Sequence, residues 1–395
     1  MGIRALELAR ALSRGLDVTL LVPNREEEAL AVAAGLRVAS LGTAASAAAA
    51  SAADVALVSG HAANAWFGDF PRVPVAADLY DPFMIENLHY APALGPGPAR
   101  HDLEALRRAL RRADFFLCAS PEQRLFYAGA LYEIGRIGAH NFPEDPELSR
   151  LLAIVPFGVP DEPARGDRAA GRRALGLPED ALLVLFGGVY DWSDPDLLLR
   201  AWPEIRRLFP AARLLFFENP NRETTPQRVY EAALAASRRM DPSGESIRFA
   251  PWRAYGERAD LYAATDVLVS ISAEGLESDL AFRTRLLDAA WGGVPSVSIA
   301  GGSLARELES AGAGRQCARD VSALVRAVGE ILSAGNAARE AARSFAAGRT
   351  WSATAAPLAA WCRDAAVDPG RLSAPASGGI GRLLRGRFAD ILRGE

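Results

Sequence analysis

Short apolar runs alternate along this chain with longer stretches whose apolar residues recur every three or four positions. Gly2–Leu12 carries Leu8 and Leu12 on one helical face, Gly15 ends that pattern, and 17–22 reads as a strand. Further strand-like runs stand at 37–40, 54–58, 74–78, 114–118 and 152–156, with helical spacing between them, most clearly over 100–112 and 121–132. Short, mostly apolar strands separated by helices imply parallel sheets covered on both faces. In such a unit a strand and a glycine-rich turn lead into the first helix. The sequence opens on the helix itself, so the first sheet is expected to lack its first strand.

The pattern breaks at 157–180, which is rich in Pro, Gly and charge and reads as a linker. Alternation then restarts, with strand-like runs at 182–186, 213–217, 246–249, 266–270, 295–299 and 314–317. From Val321 the spacing is helical, on through 351–365. The expected fold is therefore α/β, with two Rossmann-like domains facing across a cleft. The expected division is a first domain over 1–158, a linker over 159–180, a second domain over 181–350, a helix packing back over 351–370 and a tail over 371–395. The tail holds a basic amphipathic pattern at 380–392, with Ile380, Leu383, Leu384, Phe388, Ile391 and Leu392 on one face and arginines on the other. Such a helix can lie on an anionic membrane surface or dock on its own protein.

Length and composition fit that division. The 395 residues suit two domains, and half of them are apolar, enough for two cores. A net charge of −4 is too mild to point to nucleic acid. The three cysteines, Cys118, Cys317 and Cys362, are far apart and odd in number, which points to a reducing compartment rather than a disulfide framework. The four histidines have no metal-ligand spacing. Every basic residue is arginine. Without lysine there is no Schiff base for pyridoxal phosphate and no Walker-type phosphate loop. With no signal peptide and no membrane-spanning pattern in the sequence, the expected location is cytoplasmic, with peripheral contact at the inner face of the membrane through 380–392.

The most informative chemistry lies in 274–295. An apolar run at 266–272 leads into an acidic loop, then into a helix expected to begin near Asp279 and to end at Gly292 and Gly293. Arg283 and Arg285 sit in its first turns and Asp288 follows. A helix N-terminus favours a phosphate, and guanidinium groups beside it would strengthen a diphosphate site. A carboxylate deeper on the helix can accept hydrogen bonds from ribose or sugar hydroxyls. The same spacing also fits solvated arginines on a capped helix. In a doubly wound sheet ligands sit at the carboxyl ends of the strands, where this stretch lies.

Four stretches carry a resemblance to the GT-B glycosyltransferases of the family 4 type. These are Gly2-Ile-Arg-Ala-Leu-Glu-Leu-Ala, Ile154-Val-Pro-Phe-Gly-Val-Pro, Phe186-Gly-Gly and Asp288-Ala-Ala-Trp-Gly-Gly-Val-Pro, in the family's order. Phe282-Arg-Thr-Arg-Leu-Leu-Asp is similar to a subgroup of cell-envelope and O-antigen transferases. The resemblance implies metal-independent transfer of a sugar, with retention, from a nucleoside diphosphate donor to a saccharide or lipid-linked acceptor. It implies no cofactor, metal or nucleic-acid partner. It puts Arg283 and Arg285 on the diphosphate, with Gly187 and Gly188 letting backbone approach it. Asp288 would hold the ribose, Glu277 or Asp279 the donor sugar, and Trp252 would stand beside the base. His61 and Asp81, each after a strand-like run of the first domain, are the candidates near the reacting hydroxyl. Two features depart from the family. Of its two glutamates eight positions apart, Asp288 fills the second place while Leu280 occupies the first; Tyr190-Asp-Trp-Ser-Asp replaces the usual Arg and Lys pair. An epimerase-type enzyme and a non-catalytic nucleotide-sugar binder are the alternatives.

Overall fold

A computed structural model describes residues 2–23, 33, 35–61, 73–219 and 225–371. The tail pattern at 380–392 lies outside the described residues. All strands pair in parallel. In the first half, β1 (Thr19–Val22) pairs with β2 (Arg37–Ser40), and β3 (Ala56–Ser59), β4 (Val75–Asp78), β5 (Phe115–Cys118) and β6 (Leu152–Ile154) form a second sheet in that order. Among the described residues no strand joins β1 to β3, so the six strands stand as a pair and a set of four. The second half forms one sheet from β7 (Leu182–Gly188), β8 (Ala212–Phe217), β9 (Ile247–Ala250), β10 (Val267–Ile271), β11 (Ser296–Ile299) and β12 (Gly314–Gln316). Its order is β12-β11-β10-β7-β8-β9, doubly wound about β7 and β10. The fold is GT-B.

Burial explains the continuous apolar runs. Every residue of β4, β5, β10 and β11 is buried, because helices cover both faces of each sheet. The strands lie within about two residues of their expected positions. Two expectations need correction. The stretch 159–180 contains a helix, Arg168–Ala174, packed on the helix Arg258–Ala264. Its glycines serve close approach rather than slack. A Cβ on Gly166 would stand 2.0 Å from the Ala259 carbonyl oxygen, and one on Gly171 2.2 Å from that of Asp260. The single helix expected from Asp279 is two helices, Leu276–Leu280 and Thr284–Trp291. Ala281 takes an extended conformation and Arg283 leaves the helical region, so the ladder breaks between them.

The two halves meet through a crossing of two segments. Val159 bridges Thr350; the Val159 amide donates to the Arg349 carbonyl and the Trp351 amide to the Val159 carbonyl, at 2.9 and 2.8 Å. Trp351 is buried edge-on against Phe157, and Trp361 stacks on Phe115 of β5, so the closing helices return to the first half. Beside this crossing lies a buried ion pair. Arg4, on the helix Gly2–Leu12, donates from Nε and Nη2 to the two oxygens of Asp78 at the end of β4, at 2.6 and 3.0 Å. Its remaining hydrogen bonds go to the carbonyls of Val155 and Pro156, at 2.7 and 3.0 Å, and its guanidinium lies 4.6 Å over the Tyr80 ring.

Removing one partner of such a pair strands the other charge in the interior. Arg4→Ala is therefore expected to lower unfolding free energy by about 3–5 kcal/mol. Read by urea denaturation, the double variant Arg4→Met with Asp78→Leu should recover only part of that loss, because the Val155 and Pro156 carbonyls still lack their donor. A single variant within ~1 kcal/mol of wild type would refute the role given to the pair.

Candidate functional site between the halves

The turn that ends β7 is built to bring backbone close. Gly187 has φ +84, a left-handed conformation that glycine adopts without strain, at an irregularity in the β7–β8 register. A Cβ on Gly188 would lie 3.2 Å from the Tyr190 ring and 3.3 Å from the Trp252 ring, so the two aromatics close against bare backbone. Trp252 itself is half exposed and stands edge-on to Phe217.

Opposite the turn stands the start of the helix Thr284–Trp291. Arg285 Nη1 donates to the carbonyls of Phe186 and Gly188, at 3.3 and 3.2 Å. Burial pulls its guanidinium below arginine's ordinary pKa, and the nearby Arg283 charge adds to that while Tyr190 opposes it. Arg283 is buried and spends both terminal nitrogens on Glu277, at 2.9 and 2.7 Å. Its Nε has no hydrogen-bond partner. Of the two acids weighed for the sugar, Glu277 points inward and is buried whereas Asp279 is exposed. Asp288 lies one helical turn beyond Arg285, 3.7 Å from Arg258 Nε. Burial raises its carboxyl to about 6, with Arg258 opposing and Glu7 of the first half adding to the rise.

The first half supplies acids. Asp81 is pushed up to about 6, chiefly by burial and further by the Asp78 and Glu277 carboxylates. Glu86, on the short helix Phe83–Glu86, goes to about 8 for the same reason, with Asp81 and Glu277 adding to burial and Arg283 opposing. Asp81, Glu86, Glu277 and Arg283 thus form one electrostatic group across the interface. His61 stands apart from it. Its Nε2 is 2.7 Å from Asp102 Oδ1, its ring stacks on His101 at 4.9 Å, and Asn87 donates to the other Asp102 oxygen at 2.8 Å. Gln123 ties the halves together. Its Nε2 donates to the Tyr80 and Leu280 carbonyls, both at 2.8 Å, while its Oε1 accepts from the Ala119 amide at 2.7 Å. Among the described residues no group of three or more His, Cys, Asp and Glu side chains is placed to hold a metal ion. No helix there is long and apolar enough to cross a membrane.

The structure brings Gly187, Gly188, Trp252 and Arg285 together at the end of β7, pairs Arg283 with Glu277 and Asp288 with Arg258, and sets Asp81 within electrostatic reach of Glu277. It turns Asp279 to solvent and gives His61 a separate carboxylate partner. Glu86 and Gln123 had no signal in the sequence, since only the tertiary fold carries them to the interface.

Residues 180–334, which carry the glycine turn and both arginines, match the glycosyl transferases group 1 family. Over that stretch the chain is similar to the group 1 glycosyltransferases. A D-inositol 3-phosphate glycosyltransferase of Stackebrandtia nassauensis is 32% identical over 243 residues, which is 57% of this chain and 52% of that protein. The chain spans about half the length of the curated relatives it matches. Among solved structures, HepE of Anabaena in complex with UDP-glucose superposes with a TM-score of 0.65 at 15% identity, covering 92% of this chain and 95% of that one. Sucrose-phosphate synthase of Thermosynechococcus elongatus gives 0.62 at 16% identity, covering 97% and 92%. These two likenesses show that both halves share the fold of those proteins.

Glu86 keeps its proton up to about pH 8 in the folded chain, against 4.5 for an ordinary glutamate. Its contribution to stability is full below about pH 4.5 and is lost as pH rises through 8. Relative to Glu86→Gln, the wild type should lose unfolding free energy steadily between pH 5 and 8.5. Parallel stability curves for the two proteins would contradict the raised carboxyl.

Proposed function

We propose that the chain is a retaining glycosyltransferase of the family 4 type. It moves a sugar from a nucleoside diphosphate donor to a saccharide or lipid-linked acceptor in the building of a cell-envelope glycan. The observation that carries this reading is the pairing of Arg285 with the Phe186 and Gly188 carbonyls. It fixes a cation at the side-chain-free turn of a sheet whose sequence matches the group 1 family. HepE of Anabaena, which shares this fold, holds UDP-glucose in its crystal structure, and that makes UDP the first nucleotide to test.

In this reading Arg285 faces the diphosphate, beside Gly187 and Gly188, and Arg283 adds its charge from within its pair with Glu277. Asp288 takes the ribose hydroxyls, Trp252 stands by the base and Glu277 by the donor sugar. Asp81 and His61 belong to the acceptor side. The bond between the anomeric carbon and the diphosphate oxygen breaks, and its electron pair leaves with the diphosphate. The acceptor oxygen bonds to the same carbon from the same face, and its proton passes to the departing phosphate oxygen. Charge grows on the leaving group, so fixed arginine and backbone N–H groups lower the barrier more than they tighten the ground state. No resident cofactor takes part. The location that goes with this role is the cytoplasm and the inner face of the membrane.

UDP, GDP and dTDP are to be compared by thermal shift. One of them at a hundredfold excess over its Kd should add about 2.7 kcal/mol of stability, and Arg285→Ala should abolish the shift. With the matching nucleotide sugar, that variant should lose ~10²–10³-fold in kcat/KM. If no nucleotide stabilises the wild type, the reading fails.

A further inference from the structure

A second cavity adjoins the cleft. It measures about 350 Å³ and lies between the first half, which contributes Glu86, Asn87 and Tyr90, and the second, which contributes Tyr190, Trp192 and Thr225. That is a small-molecule volume at the lower end of the usual ~300–1,000 Å³. One wall is aromatic. Tyr190 and Trp192 stack with their rings nearly parallel and 4.6 Å apart, and Tyr90 meets Trp192 edge-on at 5.9 Å. Flat aromatic faces of this kind suit the C–H face of a saturated ring, while Tyr hydroxyls and amides suit a rim of hydroxyl groups. The cavity communicates with the donor side through two of its own residues. Tyr190 packs against Gly188, and Glu86 faces the Glu277–Arg283 pair.

We propose that this cavity is the acceptor site and that it takes an uncharged cyclic polyol or saccharide in preference to a phosphorylated one. This rests on the glycosyltransferase reading above.

The charge of the lining decides the ligand class. None of the described lining residues is an arginine or a histidine. The one ionisable acid, Glu86, is held in its neutral form through pH 7 by burial and by Asp81 and Glu277. Among the described residues two arginines come within electrostatic reach, Arg283 near Glu86 and Arg285 near Tyr190. Arg283 has both terminal nitrogens engaged by Glu277, and Arg285 Nη1 is held by the Phe186 and Gly188 carbonyls. A phosphate here would lose its hydration, meet three carboxyl groups and gain no paired cation, which buried charge does not tolerate. A neutral ring carries no such cost. This separates the chain from relatives named for inositol 3-phosphate.

The test uses the full chain saturated with UDP, after UDP binding has been measured by itself. Saturation-transfer NMR then compares myo-inositol and methyl α-D-glucopyranoside with D-inositol 3-phosphate. The neutral probes should bind at least tenfold more tightly than the phosphate. Ala91→Trp, which fills the cavity from a partly exposed helix position, should remove their signal while UDP binding persists. Glu86→Arg should reverse the preference. The proposal is overturned if the phosphate binds as well as the neutral probes, if their binding survives Ala91→Trp, or if neither class binds to UDP-loaded protein. Loss of UDP binding itself would instead overturn the donor reading and take this one with it.

Discussion

The buried Arg4–Asp78 pair is the constraint on which the arrangement of the first half turns. One guanidinium satisfies a carboxylate at the end of β4 and the two carbonyls that precede the crossing to the second half. A helix, a strand end and a chain exit are thereby held to one point. Those carbonyls have no ladder partner to fall back on if the arginine leaves, so geometry there is fixed by unpaired polar groups rather than by apolar packing alone. Beyond β4 and the buried Leu79 come Tyr80, whose ring lies under Arg4, and Asp81, which stands within electrostatic reach of Glu277 of the second half. Asp81 is therefore placed by a structural ion pair whose carboxylate also helps to raise its pKa.

The architecture was largely legible in the sequence because parallel strands buried on both faces leave continuous apolar runs, and those runs were found within about two residues of the strands. What misled was glycine. Gly166 and Gly171 gave 159–180 the composition of a linker, yet they mark a helix pressed against its neighbour too closely for any Cβ. Composition reports that a residue lacks a side chain. It does not report whether the reason is slack or crowding. The break at 281–283 was invisible for a related reason, since neither Ala281 nor Arg283 is a helix breaker by propensity. There a long-range environment overrides local preference.

The candidate site divides along the same line. Its second-half candidates sit on one continuous stretch, on the turn that ends β7 and just after β9, where order and spacing in the sequence drew attention to them. Asp279 and Glu277 are two positions apart, and only the fold shows that one is exposed and the other buried against Arg283. Glu86 and Gln123 come from a short helix and from a helix start in the first half, with nothing in their local sequence to mark them. Tyr190 and Trp192 stood out only as a departure from a family pattern, and the fold gives that departure a place in a cavity wall.

The Gln123 clamp has a mechanical consequence. One primary amide joins the carbonyl of Tyr80 to that of Leu280, so the loop carrying Asp81 and the break that precedes Arg283 are fastened at a single point. Net hydrogen-bond energies of this kind are about 1 kcal/mol each, comparable to thermal energy. Arg306 pairs with Glu122 across the same halves, so the clamp is one tie among several, and its share is to set the register of the acids of one half against the arginines of the other.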